Sequence, residues 1–81
     1  MTTSLKRLDL NVEDSLDLSL VGSRVRSIRQ SVNYSTEDLA ETCGLTSAEI
    51  TAIEEGLEGD MAQLKRIAAA LQVSISSLTE N

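Results

Sequence analysis

The sequence predicts a small all-α domain of five short helices behind an extended N-terminal arm. Three observations carry this reading. Good helix formers are plentiful, proline is absent, and Tyr34 is the only aromatic residue. From Val21 onward the apolar residues recur at helical spacing, whereas before it they alternate. Residues suited to capping helices recur between these stripes, with glycines at several of the stops. With 81 residues there is room for one domain around one core, so its stability should be modest.

Residues 1–20 read as the arm. Leu8, Leu10 and Val12 alternate with polar residues, as do Leu16, Leu18 and Leu20, with Glu13, Asp14 and Ser15 between the runs. A period of two belongs to extended chain. The arm is then either a tail whose leucines touch the core intermittently or a strand that pairs with a partner or a second copy. The tail is the simpler expectation.

The helical domain takes residues 21–81. Val21, Val25, Ile28 and Val32 fall at i, i+4, i+7 and i+11, which predicts a first helix over 21–32, with Asn33 suited to a left-handed stop. Ser35 caps a second helix over 36–43, with Glu37 and Asp38 in its electropositive first turn and Leu39 and Ala40 inward. Gly44 ends it. Thr46 and Glu49 have the spacing of a capping box and open a third helix over 47–55, whose inner face is Ile50 and Ile53. Gly56 to Asp60 reads as a loop. Asp60 caps a fourth helix over 61–71 with Leu64, Ile67, Ala68 and Leu71 in register, and Ser74 caps a short fifth over 75–79 carrying Ile75 and Leu78.

Composition removes several functions. There is no histidine, so the commonest general base is missing. Cys43 is the lone cysteine, has no imidazole to activate it, permits no internal disulfide, and reads as a small core filler in a reducing compartment. No metal-ligand spacing or phosphate-binding glycine loop appears, no cofactor is implied, and adjacent acids such as Glu54 and Glu55 point to different sides of a helix. The chain does not read as an enzyme. No apolar run reaches the length of a membrane span, so a cytoplasmic protein is expected. Thirteen acids against seven bases give a net charge of −6, which opposes both phosphate and anionic membrane surfaces.

Two short helices joined by a glycine turn form a helix-turn-helix, and the residues make the match more specific. Residues 21–78 resemble the Cro/repressor (XRE) helix-turn-helix family. The resemblance is carried by Arg24-Val25-Arg26 and Arg29, Leu39-Ala40, Gly44-Leu45, Ile53-Glu54 and Gly56, then Ile67-Ala68, Ala70-Leu71 and Val73. It implies a lambda-repressor-like five-helix fold and a role in transcription. It also implies an ion pair between Arg29 and Glu54, a small Ala40 where helices cross, and Leu45 plugging the space under the turn.

The same resemblance places the base-reading positions on Ser47, Ala48 and Ala52, with Thr51 nearby, and a phosphate-touching position on Thr36. Good base readers carry amide or guanidinium groups that bond a base edge twice. Alanine and serine do not. Between Ser35 and Asp60 there are eight acids and no base, among them Glu49, Glu55 and Glu58 on or beside the third helix. Arg24, Arg26, Lys65 and Arg66 lie outside the motif, where they could reach flanking phosphates. The expected partner is therefore a protein, a transcription factor with a basic surface, bound as by an antiactivator. The alternative is a DNA-binding dimeric repressor. The sequence leaves homodimerisation open.

Overall fold

The computed structural model describes residues 16–80, and these form five helices with no strand among them. α1 spans Leu18–Ser31, α2 Thr36–Cys43, α3 Ser47–Glu54, α4 Met61–Leu71 and α5 Ser76–Thr79. α1 opens three residues earlier than its apolar period suggests. Asp17 is the reason, because its carboxylate accepts the Leu20 N–H at 3.2 Å and satisfies one of the orphan donors of the first turn. Neighbours then hold that turn. Leu18 lies against Gly59, and Ser19 against Gly56, so the loop after α3 covers it. The alternation of Leu16, Leu18 and Leu20 is thus not a strand at its C-terminal end. The expectation for residues 1–15 lies outside the described residues.

The remaining helix starts follow the capping logic, with one exception. Ser35, Thr46 and Asp60 each accept a backbone N–H from the third residue on, and Asp38, Glu49 and Gln63 return the bond. α5 instead starts after Ile75 with no side-chain cap. The Ser74 hydroxyl, expected there, bonds the hydroxyls of Ser76 and Ser77 at 3.0 and 3.1 Å.

Every helix contributes to one core. Val25, Leu39, Ile50, Ile53, Leu64, Ile67 and Leu78 are fully buried, and Ala40 and Cys43 fill the smaller spaces between helices. Leu16, Tyr34 and Leu45 pack on its margin. α1 and α3 approach closely at Gly22, where an added Cβ would stand 2.4 Å from the Ile53 carbonyl oxygen and 2.7 Å from that of Glu54. No side chain fits between those two backbones. This contact sets how α3 is held and which of its faces remains outside.

Candidate interaction face of the second and third helices

α2 and α3 are joined by only Gly44, Leu45 and Thr46. Gly44 adopts φ 78°, a left-handed conformation that strains any residue with a Cβ, and the Leu45 N–H returns to the Ala40 carbonyl at 3.1 Å. With Leu39, Ala40, Cys43, Ile50 and Ile53 buried, the relative orientation of the pair is set by packing.

The opposite side of α3 faces out. Ser47, Ala48, Thr51, Ala52 and Glu55 lie at i, i+1, i+4, i+5 and i+8, a single stripe of the helix and its cap residue away from Ile50 and Ile53. Ala48, Thr51 and Glu55 are exposed, and Ser47 and Ala52 are half-buried. Thr36 stands at the start of α2, half-buried, with its hydroxyl 3.3 Å from the Glu37 carboxylate. Glu58 sits beyond the end of α3, exposed, and accepts a bond from Gln63 Nε2 at 2.8 Å.

Glu49 does not share the stripe. Its carboxylate accepts the Thr46 N–H at 2.9 Å and the Thr46 hydroxyl at 3.2 Å, which holds it below the usual carboxylate range. It remains negative, but it serves as a cap and does not stand ready for a partner. Asp38 and Asp60 are caps as well. The outward charge of this region therefore rests on Glu37, Glu41, Glu55 and Glu58, the four of its eight acids whose carboxylates neither cap a helix start nor bind Arg29.

Glu54 is the fourth acid with a structural task. Its side chain is 3% exposed, and its two oxygens accept from Arg29 Nε at 2.6 Å and Arg29 Nη2 at 3.1 Å. The third guanidinium nitrogen of Arg29 donates to the Tyr34 carbonyl at 2.7 Å. The bond to Glu54 raises the Arg29 pKa against the opposing effect of burial, so the guanidinium stays charged. Arg26 adds a third member, with Nε 3.3 Å from Glu54 Oε1. Counted along the chain, Arg26 is free for phosphate. Its spacing of three from Arg29, on one face of α1, was the signal that the two share an acid.

The Helix-turn-helix family profile matches residues 25–78. The chain belongs to the Cro/repressor-type (XRE) helix-turn-helix family. Its relatives include the HTH-type transcriptional regulator SinR of Bacillus subtilis, 29% identical over 63 residues, or 75% of this chain. The chain spans 57% of the length of that relative. The crystal structure of the restriction-modification controller protein C.AhdI from Aeromonas hydrophila superposes with a TM-score of 0.73 at 28% identity, covering 76% of this chain and 91% of that one. SinR in complex with DNA superposes with a TM-score of 0.68 at 30% identity, covering 72% and 95%. SinR is a transcriptional regulator and C.AhdI a restriction-modification controller.

Two of the four cations flanking this family's motif have intramolecular acceptors. Arg26 pairs with Glu54, and Arg66 Nη1 donates to the Gly44 carbonyl at 3.4 Å. Arg24 is half-buried, with Nη1 shielded from solvent and without a hydrogen-bond partner among the described residues. Lys65 is exposed. Cys43 is buried, and burial pushes its thiol above the usual range, so it is a packing residue. No helix among the described residues is long and apolar enough to cross a membrane.

Proposed function

We propose that this protein is a small cytoplasmic transcriptional regulator that acts mainly through protein contact, docking on a transcription factor with a basic surface, with weak or no autonomous DNA binding. The outward stripe of α3 carries the reading. Ser47, Ala48, Thr51 and Ala52 lack groups that bond a base edge twice, and each such bidentate contact contributes about 1–3 kcal/mol of discrimination. Affinity for duplex comes largely from phosphate neutralisation, with log K falling by roughly 0.9 per contact for each tenfold rise in salt. Here Arg26 and Arg66 have intramolecular acceptors, while Glu55 and Glu58 would meet phosphates with like charge. Against a basic protein the same acids favour fast and selective association.

The crystallised complex of SinR with DNA favours a second reading, a sequence-specific dimeric repressor. It would use Ser47 and Thr51 through water, with Arg26 turned from Glu54 to phosphate. Selection from a random duplex library at physiological salt separates the two. The protein-contact reading expects no enriched sequence, together with a partner recovered from native extract whose binding weakens in a Glu55→Lys, Glu58→Lys variant of unchanged helicity. An enriched, tightly bound duplex overturns it. Glu49 is left intact in that variant because it caps α3.

A further inference from the structure

Leu57 is 73% exposed, whereas most large apolar side chains of the described residues are buried or half-buried. A single exposed leucine is ordinary in itself. Its presentation is not. α3 ends with Gly56 at φ 78°, the Gly56 N–H bonded to Ile53 O at 3.1 Å and the Leu57 N–H bonded to Ala52 O at 2.9 Å. This is the Schellman arrangement, in which the residue at Leu57's position usually packs back on the last turn. Ala52 stands at the residue it would cover and offers only a methyl group. Leu57 is therefore held by backbone hydrogen bonds yet points away. Exposed Glu55 and Glu58 flank it, and Glu58 is itself fixed by Gln63.

We infer that Leu57 is the apolar anchor of a docking tip whose occupant is a basic amphipathic segment of a protein, an apolar side bordered by Lys and Arg. This rests on the protein-contact reading above and names the chemistry of that partner. A second copy of the chain is disfavoured, because an isologous contact through Leu57 brings Glu55 and Glu58 of one copy against the same acids of the other. Duplex DNA offers like charge. A cationic amphipathic helix supplies both the apolar surface and the countercharge, and the rigid cap lowers the ordering cost of binding.

The probe is a designed 18-residue helical peptide of Leu, Lys and Arg in amphipathic register, compared with a scrambled isomer of equal charge. Fluorescence anisotropy should show the full-length protein binding the amphipathic peptide at least about tenfold tighter than the scramble, the size expected of one central apolar contact. Leu57→Ser should abolish that preference while retaining the shared, salt-sensitive binding to both peptides. Glu55→Lys, Glu58→Lys should lose both. If the wild type does not discriminate, or Leu57→Ser still does, the anchor is wrong, whatever becomes of the protein-contact reading. Tight sequence-specific duplex binding by the wild type overturns that reading instead. Circular dichroism of each variant confirms the fold, which exposed Leu57 does not support.

Discussion

Replacing Gly22 by alanine tests the central packing contact of the domain. In an unpacked helix the change would stabilise, because alanine is favoured over glycine by about 1 kcal/mol in a helix interior. Here the new methyl carbon would lie 2.4 Å from the Ile53 oxygen, 2.7 Å from the Glu54 oxygen and 2.9 Å from the Glu54 carbonyl carbon. An ordinary carbon–oxygen contact is about 3.3–3.6 Å, so α1 must retreat from α3 by roughly 1 Å. The obstructing atoms are backbone and cannot rotate aside. The retreat also stretches the Arg29–Glu54 bonds and loosens Val25 against Ile50 and Ile53. Overpacking of this kind costs about 1–3 kcal/mol and occasionally more, and a clash of 2.4 Å against backbone belongs at the upper end, so a net loss near 2 kcal/mol is expected after the helix gain. In a domain of this size each 1 kcal/mol shifts Tm by roughly 4–8 °C, which places the fall at about 8–16 °C. Urea and thermal unfolding followed at 222 nm measure it, with exposed Ser27→Ala as the helix-propensity control. A Gly22→Ala protein as stable as the wild type would refute the argument from close approach.

Three further outcomes are expected. Glu54→Leu should destabilise by about 3–5 kcal/mol by stranding Arg29, and Arg29→Met in the same chain should restore much of the loss; denaturant midpoints check both, and a single-variant loss no larger than at a surface site would contradict the buried pair. The Glu49 carboxylate should titrate below its usual 4.5, so its cap contribution is complete above that value and is lost as pH falls through the depressed one; a carboxyl-detected NMR titration checks the sign, and a midpoint at or above 4.5 refutes it. Thr46→Ala should cost about 1 kcal/mol and fray the start of α3, read by faster amide exchange at Ser47 to Glu49, with unchanged exchange counting against the cap.

Much of the fold was legible because it is written in local chemistry. Caps at Ser35, Thr46 and Asp60 and stops at Asn33 and Gly44 depend on residues within four positions of one another, and the apolar stripes that follow have the period of a helix. What the sequence alone determined was thus the number of helices among residues 21–80, their order and most of the stripe each buries; Val32, the last position of the predicted α1 stripe, is the cap residue of that helix and stays 43% exposed. Tertiary structure decided the rest. It held Leu18–Leu20 in α1, because the loop at Gly56–Gly59 packs on the turn that Asp17 caps. It gave Arg26 an acceptor in Glu54 and Arg66 one in the turn carbonyl, partners that are not visible when charges are counted along the chain. It left Leu57 standing out beside Ala52. Charges and apolar residues can be counted in sequence. Their availability depends on which acceptors and surfaces folding brings within a few ångströms, and chain distance does not encode that.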